Sequence, residues 1–354
     1  MPLERPFLAA WDPVPRTTFG ETIVIVDTDE GIRGFGGGAP VPDVQLLSHL
    51  LVGVDPEDTE SVFGICETVD FHGGRNWTVE VAVWDLIARS RGLPLWRMLG
   101  GATDRFRAYA STGETLDAAE RVDRLVQWKE NGITAAKIRF SHPEWREDVR
   151  VVEGARTALG PTMELLVDAN QGWRMPGDRT PRWDVDTALS CAEALAELDL
   201  YWLEEPLDTA DIDGYRRLRD LAGVRIAAGE MVRTLSESRR LLDVVDVIQN
   251  DVVLAGGVSG CGRVAEWARE AGKVWSPHTW STGYGLLANL QVALARSTAE
   301  FLEVPFDPPG WPAEVRDFML PQPLRIEDGW LVAPTGPGLG VEPDLEVLER
   351  WRVR

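Results

Sequence analysis

From about residue 106 onward, short apolar runs alternate with longer stretches whose apolar residues recur at helical spacing. The alternation occurs eight times. Short apolar runs bounded by polar or turn-forming residues predict strands, and recurrence at i, i+3 and i+4 predicts amphipathic helices. The predicted strands are Phe106–Ser111, Ala135–Phe140, Met163–Asp168, Tyr201–Glu204, Val224–Glu230, Val247–Asp251, Val274–His278 and Phe301–Pro305.

Helical patterns occupy the intervals between these strands. They cover Leu116–Asn131, Glu147–Leu159, Val185–Leu198, Tyr215–Leu221, Leu235–Val245, Val258–Ala271 and Gly285–Ser297. Regular alternation of strands and helices indicates parallel strands joined by right-handed crossovers. Eight strands within about 200 residues predict an α/β fold of the (β/α)8 TIM-barrel type. A doubly wound open sheet is the competing architecture, and the number of repeats disfavours it.

The segments on either side of this pattern differ from it. Residues 1–105 combine a strand pattern at Glu21–Asp27 with a turn-rich run at Gly34–Gly38, and a helical pattern follows, so we predict an α+β capping domain. Residues 106–308 form the predicted barrel. The tail, residues 309–354, is rich in Pro and Gly and predicts no eighth helix. We therefore expect a modified (β/α)7β barrel whose tail packs back on the capping domain.

The composition excludes some partners and locations. Asp and Glu outnumber Lys and Arg by 57 to 36, which gives a net charge of −21. Nucleic acids and anionic membrane surfaces bind basic proteins, so neither is an expected partner. The cysteines, Cys66, Cys191 and Cys261, are widely separated and predict buried thiols rather than disulfides. No signal peptide or transmembrane run is recognisable, which predicts a cytoplasmic protein.

Polar residues at the ends of the predicted strands are the candidate functional groups, because a barrel places its site there. Asp168, Glu204 and Glu230 end three successive strands. Three carboxylates that converge on one opening repel one another unless a cation lies between them. Oxygen ligands without Cys or His favour Mg²⁺. The alternative is three ordinary strand-end carboxylates that are solvated or paired with loop arginines.

A carboxylate and an imidazole end the next two strands, at Asp251 and His278. A carboxylate beside an imidazole fixes its tautomer and raises its basicity, so the pair is a candidate general base. The alternative is a structural histidine whose ring is simply hydrogen-bonded.

The chain resembles the mandelate racemase group of the enolase superfamily over nearly its whole length. The residues that carry the resemblance are Trp84-Asp85-Leu86, Pro94-Leu95-Trp96, Leu99-Gly100-Gly101, Lys137-Ile138-Arg139, Val167-Asp168-Ala169-Asn170, Glu204-Glu205-Pro206, Ala228-Gly229-Glu230, Asp251, Gly256-Gly257-Val258, Pro277-His278 and Pro337-Gly338-Leu339-Gly340-Val341-Glu342. Together, in this order and at barrel spacing, these motifs are highly specific. The group commonly opens with a strand before an Arg-Pro pair. Only four residues precede Arg5-Pro6, so we expect this strand to be missing or to lie upstream.

The resemblance implies roles for the residues that match. Asp168, Glu204 and Glu230 would bind one Mg²⁺ per subunit, His278 and Asp251 would form the base dyad, and Lys137 would contact the metal-bound carboxylate. Glu303 would contact the substrate, and Asn170 would touch the substrate or a bound water. The substrate would be a small anionic carboxylate, and the protein would be a homo-oligomer, often a dimer or an octamer.

The shared reaction of this group is abstraction of the proton α to a carboxylate to give an enediolate. Racemases of the group commonly carry a second base at the last position of a Lys-x-Lys, where this chain has Arg139. A guanidinium stays protonated and is a poor base. We therefore expect a lyase that uses one base, His278, to dehydrate a sugar acid to a 2-keto-3-deoxy product. Arg139 would bind a substrate oxygen or pair with a carboxylate. A racemase, an epimerase or a lactone cycloisomerase is the alternative, and a catalytically silent binding protein is disfavoured by the complete set of ligands.

Substrate specificity is expected to come from loops over the barrel opening. The segment Gln171–Trp183 is long and carries Arg174, Arg179 and Arg182, which predicts a cationic lid with Arg174 on the substrate and Trp173 or Trp183 as a wall. The alternative is a solvated surface excursion. Trp11, in a loop of the capping domain, is a further candidate substrate contact.

Overall fold

The N-terminal part of the computed structural model combines two antiparallel strand pairs with four helices; the structure describes residues 1–353. The strands are β1 (Pro2–Phe7) with β2 (Arg16–Thr18), and β3 (Ile23–Asp27) with β4 (Arg33–Gly37). The helices are α1 (Val44–Leu51), α2 (Thr59–Gly73), α3 (Trp77–Ser90) and α4 (Leu95–Met98). Pro2–Phe7, where no strand was predicted, forms β1.

The prediction of a turn-rich loop at Gly34–Gly38 is wrong, because Arg33–Gly37 is the strand β4. The glycines are explained by the helix that crosses this strand. A Cβ atom on Gly34 would overlap the carbonyl oxygen of Ala82, and one on Gly36 would overlap that of Thr78. Both carbonyls belong to α3. Here glycine permits close packing of a helix on a strand. From the sequence alone, the same glycines were interpreted as turn-forming residues.

Gly36→Ala is therefore expected to lower the free energy of unfolding by about 1–3 kcal/mol, the usual cost of overpacking. Gly20→Ala is the control, since a Cβ atom at Gly20 would meet no other atom within 4 Å. Denaturant unfolding of both variants measures the difference. Equal stability of the two variants would contradict the close packing of α3 on β4.

Eight parallel strands form the barrel, as predicted. They are β5 (Arg105–Ser111), β6 (Ala135–Arg139), β7 (Glu164–Asp168), β8 (Leu200–Glu204), β9 (Ile226–Ala228), β10 (Val247–Ile248), β11 (Val274–Trp275) and β12 (Leu302–Pro305). Neighbours pair in the order β12, β5, β6, β7, β8, β9, β10, β11. Between β11 and β12 no backbone ladder is found within residues 1–353, and the Ser276 hydroxyl donates to the carbonyl of Phe301 at 3.1 Å instead.

Seven long helices connect these strands: α5 (Ala118–Glu130), α6 (Trp145–Leu159), α7 (Val185–Leu195), α8 (Ile212–Leu221), α9 (Leu235–Leu242), α10 (Gly257–Glu270) and α11 (Gly283–Arg296). After β12 come the four-residue α12 (Ala313–Arg316), β13 (Trp330–Val332), which pairs antiparallel with β5, and α13 (Leu345–Trp351). This is the modified (β/α)7β form. None of the described helices is long and apolar enough to cross a membrane.

The tail contacts both the barrel and the N-terminal helices. Beyond β13, the carboxylate of Asp85 in α3 accepts the backbone N–H of Leu339 at 2.5 Å, and the Leu95 N–H donates to the carbonyl of Gly338 at 2.7 Å. These contacts place the tail beside α3 and α4. All three cysteines are free and buried, as expected.

Strands β9, β10 and β11 end earlier than the sequence pattern predicts. Each stops two or three residues before the polar side chain that was assigned to its end, namely Glu230, Asp251 or His278. Beneath the opening, the barrel interior is filled by large side chains such as Tyr109, Trp202 and Phe301. The functional residues therefore lie just past the ladder, above a solid core.

Candidate active site

The three strand-end carboxylates meet at one point of the barrel opening. Asp168 ends β7, Glu204 ends β8, and Glu230 follows β9. One oxygen of each lies within 4.8 Å of the others, and all three residues are buried, with exposures of 2% or less. Three anions in this geometry are unfavourable without nearby positive charge.

Two buried cations from β6 contact this triad. The Nζ atom of Lys137 lies 2.5 Å from Oε1 of Glu204 and 3.6 Å from Oδ2 of Asp168. Arg139 donates from Nη1 to Oδ2 of Asp168 at 2.5 Å. Burial and Arg139 would lower the pKa of Lys137, but the surrounding carboxylates outweigh them and raise it above its ordinary value. Lys137 is therefore a permanent cation beside the triad.

The donor set fits a divalent cation. The side chain of Glu230 is buried, and its Oε2 atom has no hydrogen-bond partner in the described chain. Burial raises the pKa of Glu204 to about 8. Asp168 and Glu303 also raise this pKa, and Lys137, which lowers it, does not cancel the effect of burial. An orphaned carboxylate oxygen and a carboxyl group that resists ionisation both indicate missing positive charge. Oxygen-only ligands suit Mg²⁺, which keeps further positions for water or substrate.

His278 and Asp251 form a hydrogen-bonded pair at the same opening. Nδ1 of His278 lies 3.0 Å from Oδ2 of Asp251, so Nε2 faces the triad and lies 3.4 Å from Oε2 of Glu230. Burial would lower the pKa of His278, but Glu230, Asp251 and Glu303 together raise it to about 9. The other oxygen of Asp251 accepts from Asn289 of α11 at 2.8 Å, which holds the dyad in place.

Arg139 lies at the position where a second base was considered. Its guanidinium donates to Glu303 at 3.2 Å and to Oδ1 of Asn170 at 3.1 Å, besides its bond to Asp168. The ring of Trp11, from the N-terminal domain, stacks over it with a centroid distance of 4.6 Å. Burial opposes the charge of Arg139, but the carboxylates outweigh this and raise its pKa. The group stays protonated.

Glu303, the predicted substrate contact, lies beside both cations of β6. Its side chain is fully buried, and Oε1 lies 2.8 Å from Nζ of Lys137. The Ser111 hydroxyl donates to Oε1 at 2.6 Å, and the Thr279 backbone N–H donates to Oε2 at 2.9 Å. Burial would raise the pKa of Glu303, but Lys137 and its neighbours hold it well below the ordinary value. With both oxygens engaged, Glu303 holds the two cations of β6 in position.

Arg174, the predicted substrate contact of the loop Gln171–Trp183, bonds to groups of that loop in this structure. Its guanidinium donates to the carbonyl oxygens of Asn170 at 2.8 Å and Trp173 at 2.9 Å, and to Oε1 of Gln171 at 2.8 Å. Arg174 thus closes its own loop, because carbonyl groups that no strand or helix satisfies need donors. Arg182 ties the loop to Asp208, which follows β8. Sequence alone does not distinguish such an arginine from one that faces a ligand.

Three supporting residues of the site were not identified from the sequence. Asn289 holds Asp251, Trp202 donates from its indole to Oε2 of Glu204 at 3.0 Å, and Thr279 holds Glu303. Trp202 had a usable signal, since it lies two residues before Glu204 on the same face of β8. Asn289 had a weaker one, as a polar residue inside an otherwise apolar helix.

Comparison with known families agrees with this architecture. Residues 117–347 match the model for the enolase C-terminal domain-like family, and residues 2–100 match that for the mandelate racemase/muconate lactonizing enzyme N-terminal domain. The chain belongs to this family. Similar proteins include D-galactarolactone cycloisomerase from Agrobacterium fabrum, 28% identical over 99% of this chain and 96% of the relative. L-talarate/galactarate dehydratase from Salmonella typhimurium is 29% identical over 75% of this chain and 69% of the relative.

Solved structures of the enolase superfamily show the same fold. L-talarate dehydratase from Polaromonas sp. JS666, complexed with Mg and L-glucarate, has a TM-score of 0.84 and 25% identity, covering 100% of this chain and 94% of that one. The similar proteins are thus dehydratases and isomerases of one superfamily.

Proposed function

We propose that this family member is a cytoplasmic, homo-oligomeric, Mg²⁺-dependent lyase that removes the α-proton of a sugar acid and eliminates water to give a 2-keto-3-deoxy acid. Asp168, Glu204 and Glu230 would hold one Mg²⁺ per subunit. The proposal is supported by two groups at the opening that differ in their ability to accept a proton. One is the imidazole of His278, held by the carboxylate of Asp251, and the other is the permanently charged guanidinium of Arg139.

No lysine can replace the missing second base. The sequence contains three lysines, Lys129, Lys137 and Lys273. Lys129 donates to the carbonyl of Leu159 at the end of α6, and Lys273 donates to that of Leu242 at the end of α9. Helix ends of this kind lie at the opposite face of the barrel from the site. Lys137 is fully buried among carboxylates that raise its pKa. With no lysine free to act, His278 is the base that the described residues place beside the triad, which supports one-base chemistry.

The residues act in a defined order in this proposal. When bound, Mg²⁺ supplies positive charge to the carboxylate oxygens of the substrate and offsets the charge of Glu230. Glu230 is the largest attraction on the His278 proton, so a bound cation that offset this charge would lower the pKa of His278 and leave the imidazole free to accept a proton. His278 then takes the α-proton while Lys137 stabilises the negative charge that develops on the substrate carboxylate.

The second half of the reaction uses the same histidine. The imidazolium of His278 donates its proton to the β-hydroxyl, the β-carbon–oxygen bond breaks, and water leaves. The resulting enol takes a proton from solvent at the β-carbon, loses its hydroxyl proton and becomes the 2-keto-3-deoxy acid. The net change is the loss of one water molecule from the substrate. Arg139, fixed under Trp11, would bind a substrate oxygen without exchanging protons.

A lactone cycloisomerase is the second candidate, favoured by the full-length similarity to D-galactarolactone cycloisomerase. It would need the same α-proton abstraction by His278, with a ring oxygen as the leaving group in place of a hydroxyl. A racemase or epimerase is less well supported, since it needs a proton donor on the face where Arg139 lies.

The proposal is tested by incubating the protein with a panel of sugar acids and sugar-acid lactones in the presence of Mg²⁺. We expect a 2-keto-3-deoxy acid from at least one open-chain acid, and no product after treatment with a chelator. Turnover of lactones alone would select the cycloisomerase instead. Undiminished turnover after complete chelation would contradict both candidates.

A further inference from the structure

Glu230 is supported differently from the other two carboxylates of the triad. Both side-chain oxygens of Asp168 and of Glu204 accept hydrogen bonds. Glu230 accepts one, at Oε1, from the indole Nε1 of Trp173 at 2.5 Å. Its Oε2 atom has no hydrogen-bond partner within residues 1–353 and lies 3.4 Å from Nε2 of His278. The orientation of Glu230 therefore depends on one donor, and that donor lies on a loop outside the sheet.

The backbone on either side of Trp173 is fixed independently of its indole. The carbonyl of Trp173 accepts from Arg174 at 2.9 Å, and the carbonyl of Gly172 accepts the backbone N–H of Thr209 at 3.2 Å. Gly172 also packs so closely on Glu205 that a Cβ atom there would overlap the carboxyl group. Contacts that do not involve the indole thus hold the backbone that carries the Trp173 ring.

Packing alone does not hold that ring against Glu230. A cavity of about 420 Å³ lies beside it, lined by Gly172, Trp173, Thr209, Met231, Arg233 and Leu241. A side chain with open volume on one flank loses the contacts that would otherwise fix its rotamer. The N–H···O bond to Oε1 is the specific contact that keeps the indole beside the carboxylate.

We propose that Trp173 is a positioning residue for the metal centre. Its indole N–H occupies Oε1 of Glu230 and so directs Oε2 toward the metal position and His278. The arrangement of the loop Gln171–Trp183 then determines the affinity for the metal, although no residue of the loop is assigned as a ligand. This inference rests on the Mg²⁺ site of the proposed function.

The test compares Trp173→Phe with Trp183→Phe. Trp183 lies on the same loop, and its ring packs near Phe140 and Trp145 without any described hydrogen bond from its indole. Both substitutions keep an aromatic ring and remove an indole N–H. Titration of each metal-free protein with Mg²⁺, followed by calorimetry, measures the affinity directly. Removing the donor to a metal ligand is expected to weaken binding by about 10–100-fold in Trp173→Phe. Trp183→Phe should bind as the wild type does.

The melting temperatures of the metal-free variants separate positioning from folding. We expect Trp173→Phe to melt with the wild type while binding Mg²⁺ more weakly. Equal Mg²⁺ affinity in Trp173→Phe and wild type would overturn the role of Trp173 and leave the proposed function standing. A wild-type protein that binds no Mg²⁺ would overturn the proposed metal site itself.

Discussion

His278→Asn is expected to lower kcat by about 10²–10⁴-fold, the usual contribution of a positioned general base. The imidazole faces the triad, with Nε2 3.4 Å from Glu230 and Nδ1 held 3.0 Å from Asp251. Asparagine keeps a polar group beside Asp251 but cannot accept the α-proton. Exchange of the substrate α-proton with solvent should fall together with turnover.

The matched control is His49→Asn, since His49 lies exposed on α1. It should retain wild-type turnover. The fold of His278→Asn is expected to survive, because Asp251 is still held by Asn289. Turnover within tenfold of the wild type in His278→Asn would exclude the histidine as the base.

Lys137→Met is expected to have the largest effect on stability. It removes the cation 2.5 Å from Glu204 and 2.8 Å from Glu303, and both carboxylates are fully buried. Breaking a buried ion pair by removing one partner costs about 3–5 kcal/mol, because the remaining charge is left uncompensated. Turnover should be lost as well, because Lys137 is proposed to stabilise the negative charge that develops on the substrate carboxylate.

The stability loss in Lys137→Met should depend on pH. The pKa of Glu204 is already raised to about 8 in the folded protein, above its ordinary value of 4.5. Such a group binds more protons in the folded than in the unfolded state. Its contribution to the free energy of unfolding is therefore present at low pH and is lost as pH rises through 8. Without Lys137 this pKa rises further, and the variant should be relatively more stable at pH 5.5 than at pH 8.

Denaturant unfolding in the presence of a chelator at both pH values checks this expectation. Lys129→Met is the control, because Lys129 donates to a helix-end carbonyl away from the site. It should lose little stability and show no such dependence on pH. A loss below about 1 kcal/mol in Lys137→Met, as for a surface ion pair, would contradict the buried cluster.

The barrel could be predicted because its elements are locally consistent. Each predicted strand of the barrel overlaps an observed one, and each predicted helix overlaps one of α5 to α11. The reason is that buried parallel strands have apolar sequences, whereas the helices that cover them have amphipathic ones. The metal-type carboxylates could be found because a barrel brings successive strand ends to one face. Asp168, Glu204 and Glu230 needed only their spacing and this rule.

What could not be predicted depends on contacts between distant segments. The glycines of β4 are needed because α3 packs too closely on this strand for a Cβ atom, and Arg174 is explained by the carbonyls of its own loop. Asn289 and Trp173 are separated from their carboxylate partners by 38 and 57 residues. Their roles depend on three-dimensional packing, which the sequence indicates at most weakly, through a polar residue inside an otherwise apolar helix at Asn289.

The central claim is that one base, His278, acts on one face of the substrate, and isotope exchange tests it most directly. The protein is incubated with its sugar-acid substrate in D2O, and both the product and the recovered substrate are analysed by NMR. The account predicts a 2-keto-3-deoxy product with a single deuterium at C3, and recovered substrate of unchanged configuration. Recovered substrate that carries deuterium at the α-carbon with inverted configuration would contradict it, since inversion requires a second proton donor on the face of Arg139.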